Sequence, residues 1–320
     1  MQISNSLDNN YIYLILTKTM KKIVLGLAVL GMSTLGLTQD NEKTPSNWKF
    51  KAVGGLNGTH ASFKNWNSGG QNTLSWIALF DAQANWKKDK FRWQNGMNLA
   101  YGQNRILRQD WAKTDDVIAL YTKFGYNVYK PLDIAFFADY KSQFDVSRST
   151  DGQFDIVSKF MAPGYLTLAL GADYQPKKDK FQILFSPFTG KITFVYDYTL
   201  SQAGAFGVDV GQNVRTEFGA FMKLLYNDEI MKNVTFKGKL ELFSNYFNNP
   251  QNIDINAEAL FDFKINKWLS ASWSSTLIYD DDIKIQRTND DGSDLGTPVA
   301  LAQMKNILSL GLRYTFVEVK

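Results

Sequence analysis

Leu74-Ser75-Trp76-Ile77-Ala78-Leu79-Phe80-Asp81-Ala82-Gln83-Ala84-Asn85-Trp86 is the stretch that decides the fold. Every second residue, from Leu74 through Trp76, Ala78, Phe80, Ala82 and Ala84 to Trp86, is apolar. The residues between them run Ser, Ile, Leu, Asp, Gln, Asn. Successive residues of a strand point to opposite faces, so this is a ribbon with one apolar side and one increasingly polar side. Its length also matters. Soluble strands average about five or six residues, whereas a tilted strand that crosses a bilayer needs about 9–11.

The pattern recurs along the chain. Phe91, Trp93, Met97, Leu99 and Tyr101 alternate with Arg92, Gln94, Gly96, Asn98 and Gly102. Leu132, Ile134, Phe136, Ala138 and Tyr140 stand against Asp133, Asp139 and Lys141, with a slip in the period between them. Leu166, Leu168, Leu170 and Tyr174 face away from Thr167, Gly171 and Asp173. Ile253 to Ile265, Leu269 to Tyr279 and Leu308 to Phe316 repeat the alternation more cleanly. Aromatics close the apolar faces at both ends, as in Trp76 with Trp86 and Phe91 with Tyr101, which suits two interfacial belts.

Connections alternate in length. Residues 87–90, 130–133, 175–180, 227–232 and 266–267 read as short turns. Residues 65–73, 104–114, 146–164, 200–213, 246–252 and 283–303 read as long loops. Short periplasmic turns and longer extracellular loops are the asymmetry of an outer-membrane barrel. The expectation is therefore an all-β fold: a single antiparallel transmembrane β-barrel of about twelve strands, with both termini periplasmic. A soluble periplasmic β-sandwich is the competing all-β reading, because its strands alternate too.

Composition narrows the chemistry. The 320 residues contain no Cys, which excludes disulfides, thiolate metal sites, a cysteine nucleophile and an acylated-cysteine anchor. The formal net charge is +4. Met20-Lys21-Lys22 followed by the apolar run 23–37 reads as a secretory signal, with the true start expected at Met20 and residues 1–38 removed. That removal takes Lys18, Lys21, Lys22 and Asp8 and leaves +2, a balance that gives no hint of nucleic-acid binding. Residues 39–47 read as a periplasmic lead-in and 48–320 as the barrel.

Several local strings carry a resemblance. They are Asn65-Trp66-Asn67-Ser68-Gly69-Gly70, Lys113-Thr114-Asp115-Asp116, Phe160-Met161-Ala162-Pro163-Gly164 and Ser186-Pro187-Phe188-Thr189-Gly190-Lys191. A longer one runs from Leu242-Phe243-Ser244-Asn245-Tyr246 through Asn252-Ile253-Asp254-Ile255-Asn256 to Ile278-Tyr279-Asp280-Asp281-Asp282. Together they resemble an uncharacterised Bacteroidetes domain-of-unknown-function family of about 300 residues, which is outer-membrane β-barrel-like. The resemblance implies a fold and a location, the cell outer membrane. It assigns no catalytic residue.

The polar faces supply the candidate site. Arg92, Asp133, Asp139, Lys141, Asp173, Arg215, Glu217, Lys223, Lys237, Lys239, Glu241, Asp254, Glu258, Asp262, Lys264 and Arg313 are candidate lumen-lining residues. They either line a narrow aqueous path or pair across the lumen and fill it. His60 is the only histidine, so an outer-membrane lipid hydrolase or protease would have to use it, with Ser62, Asp280 or Asp282 as partner. A polar strand residue is the plainer reading of His60. The oxygen-rich region from Asp280 to Asp294 is of a kind that holds calcium, but it lacks EF-hand spacing and reads equally as a solvated turn. No other cofactor is implied. Glycine-bearing loop strings such as Trp66–Gly70 and Met161–Gly164 read as turn chemistry, against a partner-binding or lumen-folding role. The functional expectation is a non-enzymatic barrel: a porin-like narrow channel or a membrane component of an envelope assembly. Its partners would be outer-membrane lipid, the barrel-insertion machinery and other envelope proteins.

Overall fold

The computed structural model describes residues 47–62, 71–106, 109–148, 156–177, 180–285 and 296–319, with 317–319 as backbone only. The signal segment 1–38, most of the lead-in 39–47, the string 65–70 and the acidic run 289–294 lie outside the described residues.

Strands follow one another along almost the whole described chain: β1 (Trp48–Ala61), β2 (Thr73–Lys88), β3 (Phe91–Ile106), β4 (Ala112–Tyr129), β5 (Leu132–Ser142), β6 (Gly164–Lys177) and β7 (Phe181–Phe194). Then come β8 (Val214–Met231), β9 (Val234–Asn245), β10 (Ile253–Lys264), β11 (Leu269–Tyr279), β12 (Lys284–Ile285), β13 (Val299–Ala300) and β14 (Gln303–Val319). Twelve of them close into one antiparallel barrel in which each strand pairs with its sequence neighbours. β11 pairs directly with β14, and β14 returns to β1. β12 and β13 form a separate two-stranded ribbon within the connection between them. A closed single sheet has no second sheet to pack against, so the sandwich alternative is set aside.

The turn chemistry is local and simple. Asp89 (φ 51°) and Asn233 (φ 65°) take the left-handed backbone in the β2–β3 and β8–β9 turns, where Asp and Asn tolerate it best. Backbone pairing runs further than side-chain alternation reveals. β3 continues to Ile106 and β4 begins at Ala112, so the expected loop 104–114 shrinks at both ends. Likewise Asn227 to Met231, expected as a turn, still pair with Lys237 to Val234. The expected loop 200–213 contains a one-turn helix, α1 (Tyr198–Gln202), capped by Asp197, whose carboxylate accepts the Leu200 N–H at 3.0 Å.

The slip in β5 also resolves. Ala135 and Phe137 share the inward face with Asp133, Asp139 and Lys141, so that face is mixed while the outward one stays apolar. A second irregularity lies in β7. The β6–β7 register shifts at Leu170/Ala172 and the β7–β8 register at Ser186/Thr189, a β-bulge around Pro187, which has no N–H to give the ladder. The Thr189 hydroxyl donates to the Ser186 hydroxyl at 2.8 Å, and the Ser186 hydroxyl donates to the Leu170 carbonyl at 2.9 Å.

Gly171 sits at this bulge, and a Cβ there would overlap the Phe185 carbonyl oxygen and the Ser186 Cα. Gly190, four residues further along β7, has nothing within 4 Å of its Cβ position. Gly171→Ala is expected to lower the folded fraction and Gly190→Ala to leave it unchanged. Heat-modifiable gel migration of the two variants checks this.

Candidate functional site

Register sorts each barrel strand into an outward and an inward set. All sixteen marked charged residues fall on the inward face, with Lys264 at the turn-end limit of β10. The lumen is thus the place where charge collects, and the structure shows how the charges meet.

They form tiers. Near the turn end, Arg92 reaches Asp133 at 3.0 Å, Lys123 reaches Asp173 at 2.5 Å, and Arg313 pairs with Asp262. In the middle, Lys141 contacts Glu241 at 2.7 Å and Asp139 at 3.1 Å. Glu241 also meets Lys223 at 2.8 Å, and Lys239 pairs with Glu258. Near the loop end, Lys191 lies 2.6 Å from Asp254, 3.5 Å from Asp280 and 3.7 Å from Glu217. Arg215 there holds Glu217 at 2.9 Å, pairs with Asp282, and donates to the Gly207 carbonyl at 3.2 Å. Lys141 and Glu241 stand on β5 and β9, and Lys305 and Asp115, 3.4 Å apart, on β14 and β4. Each of these bridges links strands four places apart in the ring, so they cross the lumen rather than run along its wall.

Filling is one-sided. Among the described residues, every buried side chain within the barrel strands lies on β3 to β9. An apolar cluster of Ala135, Phe137, Ala169, Leu184, Phe221 and Phe243, with Tyr121 against it, occupies that half. Phe137 and Phe221 stack with centroids 6.1 Å apart and planes 9° from parallel. The Lys223 ammonium sits 4.8 Å from the Phe137 centroid and that of Lys191 5.1 Å from Phe243, so the cluster and the ion pairs brace each other. The opposite wall is different. Many inward residues of β11, β14 and β1 are small or polar, including Ser270, Ser272, Ser274, Thr276, Ser309, Gly311, Asn57 and Gly55; Val53, Ile278, Ile307, Lys305 and Arg313 share that face, and none of these residues is buried.

A cap sits over the loop end. The loops 143–163 and 195–213 share a small core of Ala162, Val195, Leu200 and Val208, with Ile156, Ala205 and Phe206 packed on it. Lys159 pairs with Asp197 across the two loops. Burial alone would push the Asp197 carboxyl up, but the Lys159 hydrogen bond and charge and the Leu200 and Thr199 N–H groups hold it below the usual carboxylate range. The Arg215 contact with Gly207 places the second loop against the lumen charges.

His60 lies outside this constellation. It occupies the outward face of β1, across from Leu74, on the side that carries Trp48, Leu56, Trp76 and Trp86. Asp280 and Asp282, its expected partners, face Lys191 and Arg215 instead. The three aspartates also diverge. Asp281 accepts from Asn252 at 2.7 Å and from Tyr279 at 3.2 Å, while Asp280 accepts from the Asp282 N–H at 2.9 Å. The Met161–Gly164 string belongs to the cap, with the Tyr140 hydroxyl 2.9 Å from the Met161 sulfur.

Several lumen groups escaped the sequence pattern. Lys191 is the hub of the loop-end tier, yet the bulge at Ser186/Thr189 breaks the alternation that would have marked it. Lys123 stands in β4 among Leu120, Tyr121, Phe124 and Gly125, and its face is read against its neighbours' register.

Two family models match parts of the chain: a protein of unknown function (DUF3078) over residues 59–147, and another protein of unknown function, DUF481, over 165–293. No curated protein matches the sequence. Among solved structures the chain is similar to an outer membrane channel from Pseudomonas putida F1, with 11% identity over 87% of this chain and 98% of that one and a TM-score of 0.38. It is similar to the translocator domain of the autotransporter NalP from Neisseria meningitidis, with 9% identity over 93% and 98% and a TM-score of 0.33. The outer membrane protease OmpT from Escherichia coli aligns at 11% identity over 87% and 99% with a TM-score of 0.21. These likenesses are low; the strand register itself closes the barrel.

Two outcomes follow from the ion pairs. Glu241→Ala leaves Lys141 and Lys223 without their shared carboxylate, and denaturant unfolding is expected to show a loss of about 3–5 kcal/mol. Lys180→Ala, which breaks an exposed turn pair with Asp228, is expected to change nothing measurable. For the cap, a carboxyl lowered on folding stabilises fully above its unfolded pKa of about 3.9 and stops doing so as pH falls through the lower folded value. Amide exchange at Leu200 is therefore expected to quicken below about pH 4 in the wild type and not in Asp197→Asn.

Proposed function

We propose that the barrel spans an outer membrane and passes small polar solutes along the open side of its lumen. The observation that carries the membrane reading is the inversion of polarity. Paired lysines and carboxylates gather on the inside, while Leu120, Phe124, Ile134, Phe136, Leu168, Leu170, Phe185, Leu308, Leu310 and Leu312 stand exposed outside. A water-soluble barrel has no reason to present so broad an apolar surface. Outward aromatics pair as tilted rings at two levels, Trp48 with Trp93 and Phe91 with Tyr126 at the turn end and Trp76 with Tyr101 at the loop end. Trp86 and Trp76 are ten residues apart on β2. At about 3.4 Å per residue and a tilt of about 40°, that separation spans about 25 Å, the height of the apolar band of a membrane barrel.

Polar groups on the outward face support the same reading, because they satisfy one another. Trp93 Nε1 donates to Thr122 Oγ1 at 2.8 Å, and Thr122 Oγ1 donates to Asn95 Oδ1 at 2.8 Å. In hydrocarbon an unpaired group of this kind costs several kcal/mol, roughly. Turn lysines fold back on the belt, as Lys90 over Tyr126 and Lys267 over Trp268, which suits a headgroup boundary.

For transport, the supporting feature is the unfilled wall of β11, β14 and β1. Small hydroxyls and glycines leave room and keep it wet. The ion pairs and apolar cluster opposite restrict that room, so the path is narrow rather than porin-wide. Solutes above the size of a small metabolite are expected to be excluded.

Planar-bilayer recording with purified full-length protein tests this. Discrete steps are expected, and Ser274→Trp is expected to cut their size severalfold while the barrel still folds. Absence of steps in the wild type would remove the channel reading and leave a scaffold in an envelope assembly.

A further inference from the structure

The ladder that closes the barrel is shorter than the strands that form it. β1 runs to Ala61 and β14 begins at Gln303, yet their pairing stops at Asn57 opposite Gly311. Residues 58–61 keep their partners on β2, and β14 keeps its partners on β11 up to Gln303. Among the described residues, no ladder pair joins residues 58–61 to residues 303–310 across the seam. Continued register would set Gly58 opposite Leu310 and Thr59 opposite Ser309. The wall therefore parts on the loop-end side of Asn57.

Two other seams also stop short, but loop groups take over there. Beside β4 the Asp116 carboxylate accepts the Phe144 and Asp145 N–H groups at 2.7 and 2.8 Å. Beside β8 the Tyr246 N–H donates to the Phe218 carbonyl at 3.0 Å. Side-chain exposure marks the β1–β14 seam independently. Among the described residues, Leu308 at 77% and Met304 at 66% are the most exposed large hydrophobic side chains of the barrel strands, as residues lacking a neighbour on one side are.

The two lips of this slot differ. The inner lip is polar: the Asn57 side-chain amide donates to the Ser309 hydroxyl at 2.9 Å, and the Ser309 and Ser272 hydroxyls lie 2.8 Å apart. The outer lip is apolar, with Leu56, Leu308 and Leu310 exposed. Strand edges left in hydrocarbon are costly, so the edges here need lumen water or the polar part of a guest. A polypeptide strand set between them would need about 4.8 Å on each side. The edges instead converge to a ladder just below, which leaves a wedge that suits a thinner chain.

We propose that the slot between β1 and β14 is a lateral portal, through which a single-tailed amphiphile exchanges between the bilayer and the open wall of the lumen. This rests on the membrane reading above and on the open wall, and does not require ion conduction. The small hydrogen-bonding head sits among Asn57, Ser309 and Ser272, while the linear apolar tail trails past Leu308 and Leu310 into the bilayer. Head and tail each keep a matching environment during passage, so neither the lumen nor the hydrocarbon has to accept the whole molecule.

The test places bimane on single cysteines in protein held in phosphatidylcholine liposomes. The quencher is stearic acid carrying a nitroxide near its carboxyl end. Bimane at Ser272→Cys, inside the lumen, is expected to be quenched severalfold more than bimane at Ala169→Cys on the filled wall, and bimane at Leu310→Cys outside is the positive control. Thr59→Trp, which puts a large ring at the inner lip, should abolish quenching at Ser272→Cys and spare it at Leu310→Cys. Heat-modifiable migration shows that each variant has closed, and Thr59→Leu stands in if Thr59→Trp fails to fold. Quenching at Leu310→Cys with none at Ser272→Cys overturns this inference alone. So does quenching at Ser272→Cys that persists in the folded Thr59 variant, because the amphiphile then enters by the mouth. No quenching at Leu310→Cys overturns the membrane reading and this inference with it.

Discussion

Closure of the sheet between its first and last strands is the constraint on which the structure depends. β1 and β14 share no turn, and only their register holds them: Leu56 opposite Leu312, Asn57 opposite Gly311. The fit at that seam is close. A Cβ on Gly311 would overlap Asn57, whose side-chain amide instead donates to the Ser309 hydroxyl at 2.9 Å. Once that ladder forms, the barrel sheet has no edge strand, and each of its twelve strands has two neighbours for its backbone groups. Closure also fixes inside and outside at every position, because a one-residue slip would turn each strand over.

Given closure, the interior has to be filled or left to solvent; the described buried side chains of the barrel all lie on β3 to β9, and none lies on β11, β14 or β1. Twelve strands enclose more space than the side chains of an eight-stranded barrel can fill and less than a sixteen-stranded porin leaves open. The β4–β9 side brings in Phe137, Phe221 and Phe243 and ties them down with Lys141, Lys223, Glu241 and Lys191. Buried ion pairs of this kind are poor sources of net stability, since desolvation offsets much of their attraction. Their geometry matters more. Lys141 to Glu241 and Lys305 to Asp115 span four strands each and set the cross-section of the barrel as struts would.

Much of this was legible in the residues. Alternation in β2, β10, β11 and β14 marks both faces without help, and the loop lengths give the orientation of the turns. The marked charged positions share one face because each stands in a strand whose opposite face is mostly apolar. What stayed hidden has physical causes. Pro187 and the bulge scramble the period around Lys191, so the most connected cation in the lumen went unmarked. Ala135 and Phe137 read as a slip in the pattern, because apolar residues on a polar face make sense only when the face encloses a core. The one-sidedness of the filling depends on which strands stand opposite each other around a closed ring, and that is a property of the register as a whole. His60 shows the reverse case: its chemistry invited a catalytic reading, and its parity on β1 places it outside.

The central claim is a lumen filled on one side and open on the other. Because the sequence contains no cysteine, single cysteines can report on it one position at a time. The measurement is the labelling rate of cysteines at Ser274 and Ser309 on the open wall, Ala135 and Ala169 on the filled wall, and Leu168 and Leu310 outside, using a charged, membrane-impermeant thiol reagent on protein in liposomes. Fast labelling at Ser274 and Ser309 with protection at the other four is the predicted result. Equal protection of the two lumen walls, or fast labelling at Leu168 and Leu310, would contradict the account.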